Sequence, residues 1–302
     1  MGTPEFAVPS LERLFTDGHD ICGVFTREDK PKGRGMTLTQ PPVKGKALTL
    51  GFEVFQPAGF RDGSAEEIIK DLQPELIAVV AYGRILPQSV LGIPSRGCVN
   101  VHASLLPKYR GAAPIQWAIA NGERVTGVTT QLIAAGIDVG DVLLREETPI
   151  GGDEDAEALA ARLSLMGAEL LSRTVAGIAE ESVHPIPQED ALATHAPILT
   201  KEDGMIDWGR PASDIHCLVR GMRPWPSAWT KLGGNTLKVH AAGVCEGLGR
   251  PGQILRTDSD GLEVACGQGS LLITSLQAEG GRRMDAGEYL RGHALPPGQI
   301  LG

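Results

Sequence analysis

Along residues 1–182 the apolar positions follow two alternating rhythms. Residues 5–17 place Phe6, Leu11, Leu14 and Phe15 near helical spacing, and Gly18 follows as a stop. Short apolar runs come next at 21–26, 53–57, 75–83, 97–104, 127–134 and 141–150, separated by polar or helix-like stretches such as 115–122. A long helix is predicted over 153–180, with Leu159, Leu163, Met166, Leu170 and Val175 on one stripe. Strand-length runs alternating with helices imply βαβ units, so the fold class predicted here is α/β, a Rossmann-like, mainly parallel sheet with flanking helices.

The rhythm changes after residue 182. Residues 183–203 are rich in proline and polar side chains and read as a linker. From 204 to 302 short alternating runs are joined by Gly-Gly-Asn at 233–235, Asp-Ser-Asp-Gly at 258–261 and Gly-Gln-Gly at 267–269. Period-two alternation with turn chemistry predicts a small antiparallel β-barrel, OB-like in size.

Composition narrows the class. Apolar residues make up 42% and charged residues 22%, an ordinary globular balance. The longest apolar run, 76–81, is too short to cross a bilayer and no signal-like segment opens the chain, so a cytoplasmic location is expected. The five cysteines are scattered without a C-x-x-C pair and the seven histidines lack ligand spacing, so no bound metal and no disulfide framework are expected. The net charge of −9 argues against a nucleic-acid partner until its distribution is considered. Residues 209–302 carry ten basic against eight acidic side chains, and 27–46 carry six basic ones (Arg27, Lys30, Lys32, Arg34, Lys44, Lys46) against Glu28 and Asp29. Such local basic patches can meet phosphates despite the total charge.

Candidate chemistry concentrates at 100–141. Asn100 and His102 lie two apart at the end of a strand, on one face, where α/β sheets bind ligands. A partly desolvated imidazole can exchange protons near neutrality, and an asparagine N–H can stabilise an oxyanion. Asp138, in the turn Gly136–Asp141, could orient His102. Ser104 is not on a nucleophile elbow, so the set suggests direct transfer between two substrates. Taken singly, Asn-x-His also fits a structural hydrogen-bond pair, and Asp138 an ordinary turn residue.

Six blocks carry a family resemblance: GTPEFAVPSL at 2–11, KPKGRG at 30–35, AYGRILP at 81–87, NVHASLLPKYRGAAPIQWAI at 100–119, TGVTTQLIAAGIDVGD at 126–141 and MRPWPSAWT at 222–230. With these the whole chain resembles the methionyl-tRNA formyltransferases. The resemblance implies a formyltransferase catalytic domain at 1–182, a linker at 183–203 and a tRNA-binding β-barrel at 204–302. It implies formyl transfer from 10-formyltetrahydrofolate to the α-amino group of methionine on initiator tRNA, in translation initiation. Asn100, His102 and Asp138 match the family's catalytic residues. Tyr82, Gly83, Ile85, Leu86 and Pro87, with Ser104, Leu105, Leu106 and Pro107, would line the folate pocket. Lys30, Lys32 and Arg34 would enter the tRNA acceptor end, and Arg220, Arg223, Lys231 and Lys238 would meet phosphates. No metal is implied, and a monomer is expected.

Family members carry a short apolar strand ahead of Gly-Thr-Pro, central in the sheet, whereas this chain opens at Met1-Gly2. A start placed too late is the expectation. Two alternatives share the same residues: a formyltransferase acting on an amino sugar-nucleotide, and a catalytically silent folate- or tRNA-binding protein. A nicotinamide dehydrogenase is disfavoured because no G-x-G-x-x-G follows the first available strand.

Overall fold

A computed structural model describes residues 1–32 and 36–302. The chain forms two compact units: Met1–Gly111, Thr126–Thr148 and Ala160–His195 make the first, and Ala112–Val125, Pro149–Leu159 and Ala196–Gly302 the second. In chain order the first 196 residues give α1 (Val8–Thr16), β1 (Val24–Phe25), β2 (Lys30–Lys32), β3 (Thr37–Thr39), α2 (Pro42–Thr49), β4 (Val54–Phe55), α3 (Ser64–Leu72), β5 (Ile77–Val80), α4 (Gln88–Leu91), β6 (Cys98–His102), β7 (Arg110–Gly111), α5 (Pro114–Ala120), β8 (Val125–Leu132), β9 (Val142–Pro149), α6 (Ala156–Ala179) and β10 (His195–Ala196).

The sheet of the first unit is mixed. β1 pairs with β4, and β5 with β6, in parallel, as the βαβ rhythm predicts. β8 then joins β6 antiparallel, and β9 completes the order β5-β6-β8-β9. Alternation along β6 assigns its two faces. Val99 and Val101 lie on the face opposite Asn100 and His102, and a Cβ on Gly167 of α6 would stand 2.9 Å from Val101 Cγ1 and 3.5 Å from Val128 Cγ1. α6 therefore covers the apolar face at close range, and only glycine fits at that contact. Its fully buried Leu163, Leu170 and Leu171 each contribute about 1.5–3 kcal/mol by leaving water. The polar face, with Asn100, His102, Thr129 and Gln131 in cross-strand register, is left for the site.

β1–β4 and β5–β6 are separate sheets joined through the first two residues. Gly2 N donates to Phe25 O at 3.0 Å, Val80 N to Met1 O at 2.9 Å, and the Met1 amine to Ala78 O at 2.6 Å. Beside this two-residue parallel stub lies a cavity of about 460 Å³ whose walls include Leu11, Leu14, Val24, Ile77, Leu171 and Val175.

The predicted linker does not run free over its whole length. Val142 and Ile186 exchange two backbone hydrogen bonds of 2.8 Å, so the residues after α6 pack within the first unit. The second unit adds α7 (Ala212–Gly221), β11 (Ala228–Leu232), β12 (Asn235–Cys245), β13 (Ile254–Thr257), β14 (Leu262–Ala265), β15 (Ser270–Ala278), β16 (Met284–Asp285) and α8 (Ala286–Gly292). Its antiparallel sheet has the order β11-β12-β15-β14-β13, with β16 on β15. The expected barrel is open, because no ladder joins β11 to β13. The C-terminal tail spans that gap instead: Ile254 N donates to Gln299 O, Leu301 N to Gly252 O and Gly302 N to Lys231 O. The core of this unit gathers Ile215, Met222, Leu237, Ile254, Leu271 and Ile273 among others.

Candidate active site

β6 delivers Asn100 and His102 to one face, two residues apart, and the β8–β9 turn brings Asp138 over them. The turn takes this path because Gly140 sits against the strand: a Cβ there would lie 1.7 Å from Leu132 O, so no side chain is possible. Asp138 itself has φ 53, a left-handed conformation few non-glycine residues adopt.

The Asp138 carboxylate is fixed by donors other than its expected partners. Gly111 N donates to Oδ2 at 3.0 Å and Gln131 Nε2 to Oδ1 at 2.8 Å. Two longer contacts complete the shell, Asn100 Nδ2 to Oδ1 at 3.4 Å and His102 Nδ1 to Oδ2 at 3.5 Å. The carboxylate is thus held in place while His102 and Asn100 occupy its looser edge. His102 is 6% exposed, and its Nε2 lies 2.9 Å from Tyr109 O, a carbonyl that only accepts. Both ring nitrogens therefore face oxygen acceptors. The doubly protonated ring satisfies both, and either neutral tautomer satisfies one.

Gln131 and the Tyr109 carbonyl were not among the residues the sequence singled out. Gln131 did leave a signal: it is a lone amide in the apolar run 127–134, opposite Asn100 in register. Tyr109 left none, since its part is played by a carbonyl set by its own left-handed φ of 59.

The residues expected around a folate divide by exposure. Tyr82, Leu86, Ser104 and Leu106 are buried, with Tyr82 and Leu86 in the core cluster of Phe25, Ile69 and Val79. The Tyr82 hydroxyl is buried without a hydrogen-bond partner, and burial pushes its pKa up. Ser104 Oγ donates to Lys108 O at 2.6 Å. Gly83 and Ile85 are exposed, Ile85 by 82%, while Pro87, Leu105 and Pro107 are half-buried. The 82–87 and 104–107 segments follow the carboxyl ends of β5 and β6, which are hydrogen-bonded neighbours, so both segments rise from one edge of the sheet.

Among the expected tRNA contacts, Lys30 is exposed on the β2–β3 hairpin. Lys32 contributes backbone to that hairpin, and Arg34 lies outside the described residues. Lys44 and Lys46 pair with Asp29 and Glu12. In the second unit Arg223 pairs with Asp155 at 2.7 Å, and Arg220 donates to Gly151 O at 3.1 Å and Glu154 O at 3.0 Å. Both guanidinium groups are committed to the 151–155 loop. Trp229 and Lys238 are cross-strand partners, and Lys231 follows two positions after Trp229, so the three share one face of β11–β12. The intervening Ala228 and Thr230, with Leu237 and Val239, are buried on the other face. No group of three or more His, Cys, Asp or Glu able to hold a metal occurs among the described residues.

Residues 1–175 match the family model described as Formyl transferase, and residues 198–294 match Formyl transferase, C-terminal domain. The chain belongs to the formyl transferase family. It is 50% identical over 301 residues to a methionyl-tRNA formyltransferase of Trichlorobacter lovleyi, covering 100% of this chain and 95% of the relative. It is 51% identical over 302 residues to that of Citrifermentans bemidjiense, with the same coverage. Among solved structures it resembles an N-formyltransferase of Helicobacter canadensis bound to folinic acid and dTDP-3-aminofucose. That likeness has TM-score 0.67 at 17% identity and covers 90% of this chain and 96% of the other, a likeness of fold. For a formyl transferase, the cluster on β6 sits where the sheet places ligands.

Proposed function

We propose that this formyl transferase moves a formyl group from 10-formyltetrahydrofolate to the α-amino group of methionine on initiator tRNA. One observation carries the reading: Asn100, His102 and Asp138 converge at the carboxyl end of β6 in a chain half identical, end to end, to methionyl-tRNA formyltransferases. When bound, 10-formyltetrahydrofolate supplies the formyl carbon that the amine attacks. His102 would take the proton from the amine and return it to the departing nitrogen, so the new C–N bond and the broken one balance; for Nε2 to do so, it must give up the Tyr109 carbonyl that it faces at 2.9 Å. Asp138, at Nδ1, holds the ring and stabilises it while both nitrogens carry protons. Asn100 Nδ2 spends one hydrogen on Asp138 and turns the other to the formyl oxygen as it gains charge.

The fit to a folate is supported by the exposed Ile85 and by the backbone of 82–87 and 104–107 at adjacent strand ends. Tyr82, Leu86 and Leu106 contribute main chain to this reading, since their side chains are interior. For the tRNA, the Trp229–Lys231–Lys238 face combines a stacking ring with two cations, the combination that tracks single strands and phosphates. Lys30 and Arg34 would reach the acceptor end, and Arg220 and Arg223 would act by shaping the 151–155 loop. On this reading the catalytic domain spans 1–182, the linker 183–203 and the tRNA-binding domain 204–302. The protein works in the cytoplasm as a monomer.

The test offers the protein 10-formyltetrahydrofolate with methionyl initiator tRNA and, in competition, a dTDP-amino sugar. Formylation of the tRNA is expected, and His102→Ala should slow it by about 10²–10⁴-fold while tRNA is still retained. Formylation of the sugar alone would overturn the reading. Retention of tRNA without any transfer would favour a silent binder.

A further inference from the structure

Gln188 lies in the proline-bearing segment between α6 and β10, where composition marks nothing but a connector. Its side chain is nonetheless fully engaged at the site. Nε2 lies 2.7 Å from Gly140 O, 2.9 Å from Asp138 O and 3.2 Å from Gln131 Oε1. Oε1 accepts from Arg110 Nε at 3.0 Å and from Arg110 NH2 at 2.9 Å. Arg110 is 6% exposed and also reaches Asp190 Oδ1 at 2.8 Å.

These contacts solve a mechanical problem. Asp138 adopts a left-handed backbone that an aspartate leaves readily, and the turn holding it is exposed at Ile137 and Val139. The β8–β9 ladder fixes only the two ends of that turn. Gln188 pins the carbonyls on both sides of Val139, and its contact with Gln131 steadies the amide that fixes the carboxylate itself. Arg110, buried and forked, sets the Gln188 amide so that its donors face the turn.

We infer that Gln188 is a positioning residue for formyl transfer: it holds the Asp138–Gly140 turn so that the carboxylate meets His102 and Asn100, with Arg110 as its anchor. The inference rests on the formyl-transfer reading. A purely structural Gln188 would serve only to tie the connector to Arg110, and the isosteric Gln188→Glu separates the two roles. Glutamate keeps the reach and the acceptor for Arg110, but it presents an oxygen to Asp138 O and Gly140 O where a donor is needed.

The experiment compares wild type, Gln188→Ala and Gln188→Glu for kcat, for KM with each substrate, and for thermal midpoint. Both variants are expected to lose about 10²-fold in kcat, the scale of a small misplacement. KM should stay within about threefold, because both ends of the Gln188 amide are engaged by protein groups, and Gln188→Glu, which loses the donors to the turn but keeps the Arg110 pair, should lower the midpoint by only a few degrees. Wild-type turnover by Gln188→Glu would overturn the inference, as would a kcat loss matched by a collapsed midpoint. Should Gln188→Ala fail to fold, Gln188→Glu still decides. Failure of the wild type itself to transfer would instead remove the formyl-transfer reading, and the inference with it.

Discussion

Replacing Asp138 with asparagine changes one atom and exposes how the site is held. The carboxylate accepts from Gln131 Nε2 at 2.8 Å on Oδ1 and from Gly111 N at 3.0 Å on Oδ2, with Asn100 and His102 farther out. An asparagine must turn its NH2 toward one of those two sides. Whichever it chooses, a short bond to a charged acceptor worth about 1.5–3 kcal/mol is lost, and a donor is stranded at about 1–3 kcal/mol. The side chain is 15% exposed, so water relieves part of the cost, and about 3 kcal/mol is the expected net loss. For a unit of this size that lowers the thermal midpoint by about 6–12 °C. His102 loses its partner at Nδ1, and transfer should fall by about 10²–10⁴-fold. The assay pairs differential scanning calorimetry with single-turnover formylation of methionyl-tRNA. A midpoint within about 2 °C of wild type, together with unchanged transfer, would refute the reasoning that this carboxylate is the hub of the site.

Other expectations follow from the same geometry. Gly140→Ala puts a methyl 1.7 Å from Leu132 O, so the turn must move and both transfer and the midpoint should drop, read by the same two assays. Burial pushes Cys98 and Cys266 up to about 11, so in the folded protein neither should react with iodoacetamide at pH 8, while exposed Cys22 is modified; mass mapping of labelled peptides checks this. Burial also holds His216 and His240 below their usual 6.5, so the unfolded chain takes up protons first as the pH falls. Stability from these groups is complete above pH 6.5 and declines as pH drops through the depressed values, so the urea midpoint should fall on acidification, and His240→Gln should flatten that slope. Lys231→Ala and Lys238→Ala should each weaken tRNA binding and reduce the slope of log affinity against log salt by about 0.7–0.9, measured by filter binding; an unchanged slope would remove that face from the tRNA contact.

Much of the fold was legible because its elements announce themselves locally. α6 reads from its leucine stripe, and β5, β6, β8 and β9 read from apolar runs bounded by glycine and polar turns. At 21–26 and 53–57 the apolar runs are longer than the strands they contain, since pairing is confined to Val24–Val54 and Phe25–Phe55. An apolar run reports burial, whereas a strand requires a neighbour. The mixed direction of the sheet and the open second sheet depend on chain crossings and on a tail that returns from residues 299–302, neither of which is a local property.

The same division runs through the site. Asn100 and His102 are joined by two-residue periodicity, so the sequence alone determined that they share a face. The turn glycines around Asp138 were likewise readable, because only glycine fits where backbone meets backbone. Tertiary structure alone decided that Asp138 would be fixed by Gln131 and Gly111, that Tyr109 would offer its carbonyl to His102, and that Gln188, fifty residues downstream of Asp138, would pin the turn. It also turned Arg220 and Arg223 inward to the 151–155 loop and left Lys231 and Lys238 on the open face. Periodicity encodes which side of an element a residue occupies, but the partner of a polar side chain is set by distances between elements, which no local spacing contains.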